Sequence, residues 1–301
     1  MDATVRPLTA ADFEAVVALD ARIGGGARRG YFEKRLQAAL RQPRRHLQLA
    51  AAADKALTGF VLARKAGGEY GDTEGAVVLE AFGVDPAARQ QGAGRRMLAR
   101  LEELARERHI SALVTQANWR EHGILRFLDA AHFELAPRRI LERPVQRSPV
   151  DDTDTAPPLV RNLRAGDLEA LLRIDERITG QDRGDYLRRK VDEVLHESAI
   201  QVSLVAEDDG FPVGFAMARV DFGDFGHVGA CASLDTIGVD PRFARHGFAG
   251  ALLTQMIENL AALHVERLET EVAPDAFELQ RFLQRAGFAP SQRVAFRKVL
   301  A

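Results

Sequence analysis

The order of apolar and polar residues in the first half of the chain predicts a mixture of strands and amphipathic helices. Phe13, Val16 and Leu19 are spaced as on one face of a helix, and Thr9 with Asp12 resembles a helix start. The predicted strands are 3–8, 46–53, 57–65, 76–84, 111–117 and 132–142. One predicted helix starts at Thr9, and three others span about 30–40, 93–108 and 120–131. Because hairpin-like strands are mixed with helices, the pattern predicts an α+β fold with a mostly antiparallel mixed sheet.

The second half of the chain repeats the first at a constant offset of 155 residues. The segment Gly83–Pro86 recurs as Gly238–Pro241, and Phe127-Leu128 recurs as Phe282-Leu283. Solenoid units are about 20–50 residues long, so this longer period indicates two tandem copies of one domain. The stretch between them is rich in Pro, Asp and Thr, which is typical of a linker. The predicted boundaries are 1–145 for the first domain, 146–158 for the linker and 159–301 for the second domain.

Composition and charge exclude several classes of protein. The 301 residues include 41 Lys and Arg and 43 Asp and Glu, so no strong net charge indicates a nucleic-acid or membrane partner. A single cysteine, Cys231, excludes an internal disulfide and a multi-cysteine zinc site, and no other spacing indicates a metal. Charged residues interrupt every apolar run before the length of a membrane span, and the first residues lack the apolar core of a signal peptide. We therefore expect a cytoplasmic protein.

The turn between the strand at 76–84 and the helix at 93–108 carries the strongest chemical signal. Gly92 and Gly94 leave the backbone bare at a helix N-terminus, where consecutive amides and the helix dipole favour a phosphate. Arg89 and its neighbours add positive charge suited to a diphosphate. An ordinary glycine-rich loop is the alternative, but the same arrangement recurs in the second copy.

Other phosphate-binding motifs fit this turn less well. A dinucleotide fingerprint needs a third glycine, and Met97 follows where the pattern should continue. A Walker loop needs Gly-Lys-Ser or Gly-Lys-Thr, which this turn lacks.

The turn and its surroundings resemble a tandem, two-domain member of the GNAT N-acetyltransferase superfamily. The family signature, Arg or Gln-x-x-Gly-x-Gly or Ala after the fourth strand, matches Arg89-Gln-Gln-Gly92-Ala-Gly94. The second copy matches at Gly247 and Ala249 but has Ala244 where Arg or Gln is expected. The closing segments, Phe127–Phe133 and Phe282–Phe288, also resemble the last helix of the family and its Gly-Phe turn.

This resemblance implies an acyl-CoA co-substrate, usually acetyl-CoA, and direct acyl transfer to the amine of a small molecule or peptide. The diphosphate would lie on the loop amides, and the pantetheine would pair with the edge of strand 76–84 like an added strand. The implied donor-binding residues are Phe82, Gly83, Val84, Arg89, Gln90, Gln91, Gly92, Ala93, Gly94 and Arg95 in the first copy, and Ile237, Val239, Arg245, His246, Gly247, Phe248, Ala249 and Gly250 in the second.

Two carboxylates at equivalent positions are candidate catalytic residues. Acyl transfer to an amine needs a neutral amine, an oxyanion donor and a proton for the leaving thiolate. Glu80 lies on the central strand, four residues before Val84, and Asp235 is its counterpart. Such a carboxylate could deprotonate the ammonium directly or through water, with a main-chain amide near Phe82 to Val84 as the oxyanion donor. The alternative is a strand-end acid that pairs with an arginine.

The proton donor for the thiolate is less well specified. The resemblance places a tyrosine where this chain has Leu128 and Leu283. Tyr31 and its counterpart Tyr186, in a helix region that lines the acceptor pocket in the family, are alternative donors, and water is another. The competing interpretation packs Tyr31 in the core and pairs Arg28 with Asp20.

Several hypotheses stay open at this point. The chain is an acetyltransferase with at least its first site active, or one or both copies bind acyl-CoA without catalysis as regulatory or scaffold domains. The opposite assignment, with the second copy active, is favoured by Gly287-Phe288, since the first copy has His132-Phe133. The sequence does not identify the acceptor amine. Monomer and homodimer both stay open.

Overall fold

The computed structural model describes residues 4–24, 26, 28–53, 56–66, 75–146, 158–193, 195, 202–222 and 229–300. The strands are β1 (Thr4–Pro7), β2 (His46–Ala53), β3 (Ala56–Ala66), β4 (Ala76–Val84), β5 (Ala112–Asn118), β6 (Glu134–Leu135), β7 (Arg139–Pro144), β8 (Leu159–Asn162), β9 (Leu204–Asp208), β10 (Phe211–Phe222), β11 (Ala230–Val239), β12 (Arg267–Val272), β13 (Ala289–Pro290) and β14 (Arg293–Val299). The helices are α1 (Phe13–Gly24), α2 (Arg29–Arg41), α3 (Ala93–Glu107), α4 (His122–Ala130), α5 (Leu168–Thr179), α6 (Gly184–Asp192), α7 (Phe248–Ala262) and α8 (Phe277–Arg285).

The strands form two mixed sheets of seven strands each, in the orders β1-β2-β3-β4-β5-β14-β6 and β13-β7-β12-β11-β10-β9-β8. Among the described strands, β4 with β5 and β11 with β12 run parallel, and the other neighbours run antiparallel. The α+β fold with mostly antiparallel mixed sheets is therefore confirmed.

Each sheet contains one strand from the other half of the chain. Strand β14 lies beside β5 in the first sheet, and β7 lies beside β12 in the second. The single strand predicted at 132–142 is wrong, because the chain leaves the first sheet after β6 and enters the second as β7. At an offset of 155, β7 and β14 are equivalent segments, so the two copies exchange equivalent strands. The sheets therefore do not follow the boundaries predicted from the repeat.

A half-buried ion pair fixes the start of the first helix. The backbone amide and hydroxyl of Thr9 donate to Asp12 at 2.8 and 2.7 Å, and Arg6 donates to both carboxylate oxygens of Asp12 at 2.7 and 2.6 Å. The guanidinium of Arg6 holds the pKa of Asp12 well below its usual range. Arg161 and Asp167 repeat this pair before α5. The pairs set where α1 and α5 begin, and α1 leads into the site described below.

Two apolar layers cover the first sheet. Helix α3 presents Met97, Leu98 and Leu101 to one face, where they are almost fully buried. Helices α1 and α2 cover the strand segment around Phe60 and Leu62. Burying each such side chain stabilises the fold by about 1.5–3 kcal/mol, so both layers hold the strands between them in place.

Candidate active site

Strands β4 and β5 separate after a short parallel ladder. The ladder pairs Ala76–Val78 with Ala112–Val114, and in the described part of the chain it ends there. On the other edge of β4 the register with β3 shifts between Leu62 and Ala63, so that Glu80 is the extra residue of a β-bulge. The Thr115 hydroxyl donates to the Leu79 carbonyl at 3.0 Å, across the opening. The bulge bends β4 away from β5 and opens a fork.

The second copy has the same fork. The register between β10 and β11 shifts between Met217 and Ala218, which makes Asp235 the extra residue. The Thr270 hydroxyl donates to the Leu234 carbonyl at 2.9 Å. Glu80 and Asp235 therefore occupy the same structural position as well as the same place in the repeat.

A cleft of about 1230 Å³ extends from the fork of the first copy. Its walls are β4 from Leu79 to Val84, the loop and the start of α3 at 88–95, and α4. Asp20 and Arg28, from α1 and from just before α2, line the other side of the fork. Drug-sized ligands occupy pockets of about 300–1,000 Å³, so this cleft has room for a large, extended molecule.

The loop before α3 has the backbone conformation that a phosphate cradle requires. Gln90 and Gly92 have φ of 65° and 80°, in the left-handed region, and α3 begins directly after Gly92. Asp85 fixes the entry of the loop, because it accepts from the Ala87 amide at 3.0 Å and from Arg22 at 2.9 Å. The Ala87 hydrogen bond, and then Arg22, lower the pKa of Asp85. The amides at the start of this 15-residue helix are thus presented to the cleft.

Gly94 keeps the cleft open between the strand and α4. A Cβ atom at this position would lie 3.3 Å from the ring of Phe127 and 3.4 Å from that of Phe82. These two rings are 4.9 Å apart and form the apolar wall. A side chain at residue 94 would therefore narrow the passage that the small residue leaves. The loop conformation, the open passage and the nearby Arg89 and Arg95 all fit a bound diphosphate.

The second copy has aromatic side chains at two positions that line the first cleft. Gly247 has φ of 84°, so the loop backbone is the same. The equivalents of Ala88 and Ala93, however, are Phe243 and Phe248. Phe248 is 7% exposed and packs in the core, with its ring 6.2 Å from that of Phe243. Two residues that line the first cleft are thus replaced by large rings in the second copy.

Glu80 both lines the cleft and pairs with arginines. Its Oε1 accepts from Arg64 Nε at 2.6 Å and lies 3.2 Å from a terminal nitrogen of Arg35. Both of these contacts converge on the same oxygen of Glu80, Oε1. His46 is the cross-strand neighbour of Arg64, and burial, with help from the adjacent arginines, lowers its pKa to about 4. The structure therefore shows the pairing with arginine, and the role of Glu80 as a base stays a prediction.

Asp235 has the same arrangement with different residues. Its Oδ2 accepts from Lys190 at 3.0 Å and from Arg219 Nε at 2.8 Å. Lys190 and Arg219 stand 155 residues after Arg35 and Arg64. These four cations are not among the residues predicted from the sequence, although the shared positive charge at equivalent positions of the two copies could have revealed them.

The structure places the candidate tyrosines in the core. Tyr31 is 3% exposed, its ring lies 5.4 Å from the guanidinium carbons of both Arg28 and Arg35, and it is not among the residues that line the cleft. Arg28 donates two hydrogen bonds to the carboxylate of Asp20, and the one from Arg28 Nε is 2.9 Å long. Tyr186 is 4% exposed in the second copy. The role of either tyrosine as a proton donor stays a prediction.

The exchanged strand brings a residue from the second half into the first cleft. Lys298 of β14 lines the cleft and donates to Glu102 of α3 at 2.5 Å. Gln116, at the floor of the fork, accepts from Arg293 Nε at 3.3 Å. The first cleft is therefore built from both halves of the chain.

Within the described ranges, no group of three or more His, Cys, Asp or Glu side chains is placed to hold a metal ion. None of the described helices combines the length and the apolar character that crossing a bilayer requires.

Comparisons with known proteins agree with this architecture. A search of curated proteins found no match. A GCN5-related N-acetyltransferase from Sphaerobacter thermophilus is similar in structure, with a TM-score of 0.66 and 18% identity over 99% of this chain and 96% of that one. A tandem GNAT protein from the clavulanic acid biosynthesis pathway has a TM-score of 0.71 and 16% identity over 100% of this chain and 99% of that one. At these identities the likeness shows the fold.

Sequence comparison with protein families assigns the chain. The model of the Acetyltransferase (GNAT) family matches residues 14–127 and again residues 168–288, which together make up more than half of the chain. The two matches fall one in each copy of the repeat. The expected family is thus confirmed, and this chain belongs to the GNAT acetyltransferase family as a tandem, two-domain member.

Proposed function

We propose that the first copy is an N-acetyltransferase that transfers an acetyl group from acetyl-CoA to the amine of a small molecule or peptide. One observation supports this most strongly. A single cleft joins the positive-φ loop around Gly92 to the carboxylate of Glu80 at the fork of β4 and β5. Donor binding and proton removal would thus be served by one continuous space.

The donor end of the cleft is formed by the loop and by the free edge of β4. The amides of 89–94 and the side chains of Arg89 and Arg95 would hold the diphosphate. The pantetheine would lie along Phe82–Val84, where β4 has separated from β5. Both proposed contacts include main-chain groups, so they need an open backbone as well as the two arginine side chains.

Acetyl-CoA supplies the activated acyl group as a thioester. In the reaction the amine nitrogen forms a bond to the carbonyl carbon, and the carbon–sulfur bond breaks. Glu80 Oε2 would accept the proton that the amine must lose, directly or through water. A main-chain amide between Phe82 and Val84 would donate to the carbonyl oxygen, and water would protonate the moderately basic thiolate.

The second copy serves, in this proposal, as a scaffold. Phe243 and Phe248 stand where the first copy has the alanines that line its cleft, and Ala244 replaces the motif position of Arg89. The second half still contributes β14 and Lys298 to the first site. These replacements favour the first copy as the active one over the opposite assignment, despite the Gly-Phe turn of the second copy.

A competing function is acyl-CoA binding without turnover, which the leucines at 128 and 283 support because the tyrosine of the family is missing there. The test is turnover of acetyl-CoA with a panel of amines, followed as free thiol. We expect Glu80→Gln to lower kcat by about 10²–10⁴-fold without changing acetyl-CoA affinity. Asp235→Asn, the matched change in the second copy, should leave kcat unchanged. Absence of turnover with every amine, or full activity of Glu80→Gln, would contradict the proposal.

A further inference from the structure

We propose that Arg64, together with Arg35, is a positioning residue that orients Glu80 for proton removal. This inference rests on the proposed function of Glu80. The two arginines come from β3 and α2, so three separate elements meet at one carboxylate. Neither arginine is among the residues that line the cleft, whereas Glu80 is. Their effect on the reaction would therefore pass through the carboxylate.

Two arginine contacts converge on one oxygen of Glu80 and hold it in place. Arg64 and Arg35 both approach Oε1, at 2.6 and 3.2 Å. A carboxylate that is held at one oxygen by two donors cannot rotate without losing both contacts. Because the carboxylate is planar, fixing Oε1 also fixes the direction in which Oε2 points. The bulge of β4 re-aims the Glu80 side chain, and the arginine contacts then hold its carboxylate.

Burial makes the arrangement rigid. Arg35 and Arg64 are 7% and 6% exposed, and Glu80 is 3% exposed. The ring of Tyr31 lies 5.4 Å from the guanidinium carbon of Arg35, which limits where that side chain can move. This packing gives Tyr31 a supporting role that does not require its hydroxyl to donate a proton.

The second copy repeats the arrangement and provides an internal control. Lys190 and Arg219 both contact Oδ2 of Asp235, and Oδ1 is buried without a hydrogen-bond partner in the described part of the chain. The second copy thus also has two cations at one carboxylate oxygen, with a lysine in place of one arginine and an aspartate in place of the glutamate. Because Phe243 and Phe248 replace two cleft-lining alanines of the first copy, we expect this cluster to support the fold alone. A substitution in this cluster should therefore destabilise the fold as the matched substitution beside Glu80 does, without lowering kcat.

The experiment compares Arg64→Met and Arg64→Lys with Arg219→Met in the full chain. Melting temperature, acetyl-CoA Kd, and kcat and KM for the amine are measured for each. We expect Arg64→Met to lower kcat by about 100-fold while the Kd for acetyl-CoA stays within about twofold. Arg64→Lys keeps the charge but not the Nε contact, and should recover about tenfold of the loss. Arg219→Met should lower the melting temperature comparably and leave kcat unchanged.

A double variant separates positioning from simple destabilisation. If Arg64 acts through Glu80, Arg64→Met in a Glu80→Gln background should lower kcat no further than Glu80→Gln does alone. If the double variant loses kcat by the product of the two single losses, the inference is overturned. It is also overturned if kcat of Arg64→Met falls only in proportion to the fraction of folded protein. If Arg64→Met does not fold, wild-type kcat in Arg64→Lys would overturn it instead. If Glu80→Gln is inactive while Arg64→Met is fully active, only this inference is rejected. If Glu80→Gln is fully active, the proposed function is rejected as well.

Discussion

Gln116 and Glu271 stand 155 residues apart in the sequence and form a hydrogen bond with each other, donated by the Gln116 amide. They occupy equivalent positions in the two copies, so the two sheets contact each other through the same position of the repeat. Gln116 also lines the first cleft. The second half of the chain is therefore connected directly to the floor of the proposed active site.

Truncation tests this dependence. Removal of residues 293–301 deletes β14, the strand between β5 and β6, together with Arg293 and Lys298. We expect the truncated chain to lose acetyl-CoA binding, although the deletion lies far in sequence from Gly92. Calorimetric titration and circular dichroism would follow binding and folding. Unchanged affinity would show that another segment, such as β7, can replace β14 beside β5.

Gly92→Val tests the phosphate cradle. A β-branched residue at φ of 80° costs about 1–2 kcal/mol in backbone strain and places methyl groups over the exposed amides. We expect acetyl-CoA affinity to fall by at least about 100-fold, which corresponds to the loss of about 2.7 kcal/mol of binding. Gly247→Val carries the same strain, with φ of 84°, in the second copy. Equal affinity in both variants would argue against the cradle.

Ala93→Phe tests the interpretation of the second copy. This change reproduces in the first copy the side chain that stands at residue 248. Because Ala93 is buried beside the cleft, the ring should close the donor site and abolish acetyl-CoA binding, at a cost of about 1–3 kcal/mol from overpacking. Titration of the variant, with its melting temperature as a control for folding, gives the result. A folded variant that binds normally would show that Phe248 does not explain a closed second site.

The stability of the protein should decrease in mild acid because of His46. The folded pKa of His46 is about 4, and an exposed histidine in the unfolded chain has a pKa near 6.5. Between these values the unfolded chain binds more protons, so the free energy of unfolding falls as the pH drops from about 6.5 to about 4. Urea unfolding of wild type and His46→Gln between about pH 7 and about pH 4.5 measures this slope. An equal slope in both proteins would exclude His46 as its source.

The repeat made most of the fold predictable. Apolar spacing is a local property, and each predicted element except the first helix and the last strand lies within two residues of the observed one. The exchange of β7 and β14 could not be predicted in this way. Segments 138–144 and 293–299 are equivalent, so each can satisfy the same place in either sheet, and contacts such as that of Arg293 with Gln116 are needed to distinguish them.

The site was predictable only where its chemistry is local. The loop around Gly92 and the position of Glu80 on its strand depend on short spacings within one segment. Arg64 and Glu80 are 16 residues apart and meet only through the register of β3 and β4. The bulge that places Glu80 at the fork comes from the same register. Sequence spacing carries no information about such contacts between strands.

Titration of acetyl-CoA into the full chain, read for stoichiometry, is the measurement to make first. We predict one equivalent bound per chain, with binding lost in Gly92→Val and retained in Gly247→Val. Two equivalents of similar affinity would contradict the assignment of the second copy as a scaffold. No binding at all would contradict the proposal that the cleft between β4, α3 and α4 holds the donor.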